Sequence, residues 1–158
     1  MKMTKKMWLI PASALLLASA AGAAQADNQP LERLDDVLTH AETYGFTHFE
    51  EIETKSRGRI EVEGWLDDEW FAETRFSLES GETLREKRER LITGAWGMSA
   101  DEVRQAFEVA KTEGMTKFEE IEIDESGMIE IEGRDGDGQE LEISLRQGSD
   151  QVTEIDRD

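Results

Sequence analysis

Apolar residues fall into two rhythms along this chain, one with the period of a helix and one with the period of a strand, and the succession of rhythms occurs twice. Leu34, Val37, Leu38 and Ala41 recur at helical spacing, and Gly45 follows as a residue that takes the left-handed cap conformation without steric cost. Strand-like alternation comes next, on Phe49, Ile52 and Thr54, then Ile60 and Val62, then Phe76 and Leu78. The second round opens with Ser99 and Glu102 at the spacing of a capping box, followed by the stripe Val103, Ala106, Phe107 and Ala110 and the stop Gly114. Its strands are predicted on Phe118, Ile121 and Ile123, on Ile129 and Ile131, on Leu141, Ile143 and Leu145, and on a short last segment with Val152 and Ile155. In the Ile-Glu-Ile-Glu and Leu-Glu-Ile-Ser-Leu stretches carboxylates take the intervening positions, giving a wet acidic face and a covered apolar one.

The two rounds are copies. Gly45-Phe-Thr-His-Phe-Glu-Glu-Ile-Glu53 and Gly114-Met-Thr-Lys-Phe-Glu-Glu-Ile-Glu122 match at seven of nine positions with an offset of 69, and 12 of the 20 positions from 45 to 64 are identical in that register. Ser77-Leu78 and Gly81 match Ser144-Leu145 and Gly148 at an offset of 67, which places a two-residue insertion between Trp65 and Arg75. Each helix has a single apolar face and must pack on something. The expected fold is therefore α+β, two tandem repeats, each one helix packed on a three- to four-stranded antiparallel sheet. The predicted organisation is a signal peptide at 1–26, a first repeat at 27–86, a linker at 87–98 and a second repeat at 99–158.

These residues resemble the PepSY domain family. The shared features are a helix ending in glycine, the Gly45-Phe-Thr and Gly114-Met-Thr turns into a first strand, a strand with alternating acids, the Asp137-Gly-Gln-Glu140 hairpin and a closing strand, over about residues 31–86 and 99–156. The resemblance implies a role in holding or inhibiting a protein partner such as a peptidase, and the pair of units is similar to the two-repeat architecture of a secreted β-lactamase inhibitor. It implies no catalytic residue.

The N-terminus changes the picture of where the protein works. Lys2, Lys5 and Lys6 precede an apolar run from Met7 to Ala21, and Ala24-Gln25-Ala26 supplies a small-residue cleavage pattern, so a secretory signal cleaved after Ala26 is predicted. The run is short of the roughly 20 residues a spanning helix requires. A periplasmic or secreted protein with no membrane span after cleavage is expected. Removing 1–26 takes three of 18 basic residues and no acid, leaving 15 against 37 and a formal charge of −22. Such a charge disfavours nucleic acid and anionic lipid and suits basic partners, weakly bound divalent cations or a salty medium. Cysteine is absent, which excludes disulfides and thiolate sites and leaves stability to the core.

Catalytic chemistry finds few candidates. His40 and His48 are the only histidines, and His48 stands where the second copy has Lys117. No HExxH or HxH spacing occurs, and Asp135 to Glu140 has its glycines at positions two and four and Glu140 at the sixth, where a calcium loop needs its glycine, so a tight hairpin is expected there. No catalytic residue, metal site or cofactor is assigned, and the chain is read as a non-enzyme. Thr83 to Met98 contains the basic run Arg85–Arg90, read as solvated charge following a last strand closed by Leu84, or else as a dock for an acidic partner; Trp96 is expected to plug the seam between copies. The copies differ most at a hairpin where the first carries Trp65, Leu66, Trp70 and Phe71 and the second is plainly polar. Exposed aromatics at a loop tip are characteristic of interface anchors, so these four residues are the candidate partner-binding site. Two functions stay open: a periplasmic protein that binds or inhibits a protein partner, a peptidase or an envelope sensor, and an acidic cation-responsive or salt-adapted ligand-binding sensor accessory.

Overall fold

A computed structural model describes residues 27–158; the signal peptide expected over 1–26 lies outside the described residues. Helix α1 (Leu34–Tyr44) follows a 3-10 turn at Leu31–Arg33, and Gly45 closes it at φ 124°. Helix α2 (Ala100–Thr112) starts on a complete capping box: the Glu102 N–H donates to Ser99 Oγ at 3.1 Å, and the Ser99 N–H donates to Glu102 Oε2 at 2.8 Å. The strands are β1 (Gln29–Pro30), β2 (His48–Lys55), β3 (Arg59–Trp65), β4 (Trp70–Ser77), β5 (Thr83–Arg90), β6 (Met115–Ile123), β7 (Met128–Asp135), β8 (Glu140–Arg146) and β9 (Val152–Arg157).

All nine strands form one antiparallel sheet in the order β5-β4-β3-β2-β6-β7-β8-β9, with β1 beside β6. The expected architecture of two tandem helix-on-sheet repeats is thereby corrected. A separate sheet for each copy would leave β2 and β6 as exposed edges with unpaired backbone groups, and these two strands pair with each other instead. One buried cluster runs beneath both helices, from Leu38, Phe49 and Ile52 to Phe107, Phe118 and Ile121.

The join is locally two-fold. Ile52 pairs with Ile121, its own repeat equivalent, with Glu51 opposite Glu122 and Glu53 opposite Glu120. Flanking this join, Phe49 bridges Met98 while Phe118 pairs with Gln29, again a symmetric exchange at an offset of 69. Both copies also carry a β-bulge, after Phe49 and after Phe118, against a glycine. A Cβ on Gly64 would lie 2.1 Å from the His48 carbonyl oxygen, and one on Gly133 would lie 2.1 Å from that of Lys117, so only glycine allows the backbone to approach this closely.

Strand pairing also corrects the proposed insertion. Trp65 faces Phe71 and Arg134 faces Glu140, Ile60 faces Phe76 and Ile129 faces Leu145, and Phe76 faces Thr83 as Leu145 faces Val152. The offset is 69 throughout, and the Ser77-Leu78 match at 67 has no structural counterpart. Strand β5 takes residues 87–90 of the expected linker into the sheet, leaving Leu91–Met98 as the connector to α2.

Candidate functional site

Both helices pack on the face carrying Ile52, Val62, Ile121 and Ile131, so the opposite face of the sheet is left to the alternating polar residues. Register lines these up in two rows across the strands. One runs Lys87, Glu73, Glu63, Glu51, Glu122, Glu130, Ser144, Glu154; the other runs Arg85, Arg75, Glu61, Glu53, Glu120, Glu132, Glu142, Asp156. Basic residues occur in these rows only at the β5 edge, where Lys87 donates to Glu73 at 2.9 Å and Arg75 pairs with Glu61. Further in, carboxylates stand directly opposite carboxylates, an arrangement that opposes folding.

The consequences are strongest at the join. Glu51 lies between Glu63 and Glu122, and burial together with those neighbours and Glu53 lifts its pKa from 4.5 to about 7. Its twin Glu120 lies between Glu53 and Glu132, and burial first, then Glu51, Glu53, Glu132 and Glu122, lift it to about 8. Lys55 tempers the field at Glu51. Burial also raises Glu63, Glu132 and Glu142, reinforced in each case by adjacent acids. The oxygens of Glu51, Glu120 and Glu122 lie within 4.8 Å of one another, as do those of Glu130, Glu132 and Glu142. These two triads are where a divalent cation could find three ligands among the described residues.

A second feature lies at the copy-one end of the same face. The connector Leu91–Met98 leaves β5 and passes over β4 and β3 before pairing with β2: the Leu91 N–H donates to Glu69 at 2.8 Å, and Phe49 and Met98 exchange bonds of 2.7 and 2.8 Å. Between connector and sheet is a cleft of about 720 Å³, lined among others by Glu50, Trp65, Phe71, Glu89, Trp96 and Glu125.

The structure separates the four residues of the expected aromatic site. Trp65 was expected at the surface but is 1% exposed; its indole N–H donates to Glu50 Oε1 at 2.7 Å, and its ring meets Phe71 edge-on at 5.7 Å. Strand alternation puts Trp65 on the uncovered face, and the connector crossing that face is what buries it. Phe71 is half-buried beside it. Trp70 points to the other side of the sheet and is 40% exposed, while Leu66 packs against the core near Gly45. Sequence reasoning missed Glu50, Glu89, Glu125 and Leu91 as cleft residues. Pairing the hairpin aromatics with Trp96, already singled out, was the one available signal for them.

The remaining candidates have structural partners. His40 Nε2 bonds the Leu78 carbonyl at 3.0 Å, and His48 Nδ1 lies 3.0 Å from Thr47 Oγ1. Asp135 Oδ1 accepts the N–H groups of Asp137 and Gln139 at 2.8 and 3.0 Å, closing the β7–β8 hairpin on itself. Tyr44 donates to Glu86 at 2.6 Å beneath the Arg88 guanidinium, which ties the charged edge strand β5 to α1. Among the described residues no helix is long and apolar enough to cross a membrane.

No family model matches the chain, and no curated protein matches it. Among solved structures, a lipoprotein candidate from Clostridium difficile 630 aligns with a TM-score of 0.47 and 18% identity, over 85% of this chain and 96% of that one. Nothing about function follows from a likeness of that size.

Proposed function

We propose that the chain is an exported, non-catalytic binding protein of the PepSY kind that engages a basic surface of a protein partner through the uncovered face of its sheet, with an envelope peptidase the first partner class to test. The observation that carries this reading is the pair of acid rows. Directly opposed carboxylates destabilise the free protein, and a positively charged partner seated on them relieves that repulsion. Export is supported by the leader-like sequence at 1–26.

The test is retention from an envelope extract on immobilised protein, beside a Glu122→Lys/Glu130→Lys variant confirmed as folded, followed by activity assays on any peptidase retained. Retention that is lost in the variant and falls steeply with salt supports the reading. A partner held equally by both proteins removes the acid rows from it.

The two carboxylate triads favour a second reading, in which divalent cations occupy the rows and stability responds to them. Melting temperature measured with calcium against potassium at matched ionic strength tests it. A calcium-specific rise that is lost in Glu122→Gln is the expected result, and equal melting in the two salts refutes it.

A further inference from the structure

The cleft beside Trp65 is built on backbone that both copies share and on side chains that only the first possesses. At the same register, with the same spacing across the hairpin, the second copy has Arg134 opposite Glu140, joined by a 2.8 Å salt bridge. The first has Trp65 against Phe71. A self-satisfied ion pair in one copy is replaced by an aromatic corner in the other, and the connector covers that corner.

The connector is pinned at both ends and arched between. Beyond the bonds at Leu91 and Met98, Gln147 Nε2 donates to the Gly97 carbonyl at 2.9 Å. Gly97 adopts φ 113° and passes so close to β2 that a Cβ would lie 2.5 Å from the Phe49 carbonyl oxygen. The span between holds Trp96 against the core and leaves Ile92 wholly exposed. The cleft under the arch thus has a defined roof.

Its chemistry is one-sided. Glu50, Glu89, Asp124 and Glu125 line it with Trp65, Phe71, Leu91 and Trp96, and among the described residues neither lysine nor arginine lines it. Asp124 is already occupied, accepting from Ser126 and Met128 across the β6–β7 turn. Glu50 has one oxygen on the Trp65 indole, and burial raises its pKa. An anion would meet like charge from every side. A neutral apolar group would strip water from the carboxylates and return nothing. A cation on an apolar stem satisfies both halves of the lining, the carboxylates attracting its charge and the apolar walls covering its stem.

We propose that this cleft is a binding pocket for a basic side chain, a guanidinium or alkylammonium group, presented by an extended segment of the partner polypeptide. It deepens the binding-protein reading and rests on it. The volume, within the usual range for ligand sites of about 300–1,000 Å³, accommodates such a side chain with its neighbours. The acid rows run from the same face, so a segment anchored here has further carboxylates ahead of it.

The test is a nitrogen-15 NMR titration of the exported protein with acetyl-Gly-Arg-Gly-amide, its citrulline counterpart and tetramethylammonium. The expected result is saturable movement of the Trp65 and Trp96 indole signals and the Gly97 amide by the arginine peptide. Citrulline, which keeps the shape without the charge, should bind at least tenfold more weakly. Glu50→Gln, which keeps an acceptor for Trp65, and Glu89→Gln should each weaken binding severalfold, while Glu108→Gln on α2 leaves it unchanged. Equal binding of citrulline, or shifts spread along Glu122, Glu130 and Glu142 without saturation, overturns the pocket. Tetramethylammonium binding as tightly as the arginine peptide overturns a partner side chain as the source. Partner capture that is lost on reversing charge in the acid rows, yet indifferent to Glu50→Gln and Glu89→Gln, keeps the binding-protein reading and removes the cleft from it.

Discussion

Replacing Glu120 with glutamine should stabilise this protein at pH 8 and do little at pH 5. Glu120 is half-buried between Glu53 and Glu132 on the neighbouring strands, and its pKa is lifted from 4.5 to about 8. A carboxyl whose folded pKa exceeds its unfolded one binds its proton more tightly in the native state, so stability falls as pH rises from about 4.5 through about 8. Below that window both states are protonated and nothing is lost; above it the full penalty is present. Taken whole, the displacement corresponds to about 5 kcal/mol at 1.36 kcal/mol per tenfold change in proton affinity. Water still reaches the carboxylate and screens its neighbours, so a gain of about 1–2 kcal/mol is the realistic expectation. For a domain of this size that is a rise of roughly 3–8 °C in melting temperature at pH 8. The assay is thermal denaturation followed by circular dichroism at pH 5, 6.5 and 8 in constant salt, with Glu108→Gln as a control for the removal of one charge. A gain that is the same at every pH, or no larger than that of the control, would refute the account of a repelled, half-buried carboxylate.

Other substitutions probe the fold. Gly133→Ala and Gly64→Ala each drive a methyl group into a backbone carbonyl at 2.1 Å, and each should cost about 3 kcal/mol or more in urea denaturation; a loss under about 1 kcal/mol would show that the bulges can shift. Thr54 is fully buried with its hydroxyl unpartnered, so the isosteric Thr54→Val should stabilise by about 1 kcal/mol, and a loss of stability would mean that the hydroxyl has a partner in solution. Trp65→Ala should cost about 3–5 kcal/mol, whereas Trp70→Ala should stay within about 1 kcal/mol; similar losses at both would contradict the burial of the first and the exposure of the second.

Much of the local structure was legible because it depends on short-range periodicity. Val103, Ala106, Phe107 and Ala110 announce one face of a helix, Ser99 and Glu102 its start, and Ile129-Glu-Ile131 a strand with one wet side. Strand β5 was not legible in this way. All eight of its residues are exposed, and an edge strand carrying charge on both sides has no apolar alternation to reveal it. Of the candidate site, Trp65 and Phe71 were found and their setting was not. Their strand positions place them on the uncovered face, where exposure is the ordinary expectation, and only the return path of Leu91–Met98 across that face turns them into the wall of a cleft.

Read alone, the chain establishes the repeat, the capped start of α2, the glycine stops of both helices, the alternation that puts isoleucine on one side and glutamate on the other, and the surplus of negative charge. The helix signals and the alternation are written in neighbours a few residues apart, and the repeat and the charge need only the chain laid against itself and counted. That the two copies share one sheet, and that their acids run on as two continuous rows through Glu51 against Glu122 and Glu53 against Glu120, were decided by the pairing of β2 with β6; the hairpin registers within each copy decided that the offset of 69 persists to the last strand. No local pattern specifies that pairing, because it follows from the need of two edge strands, 69 residues apart, to satisfy their backbone groups on each other.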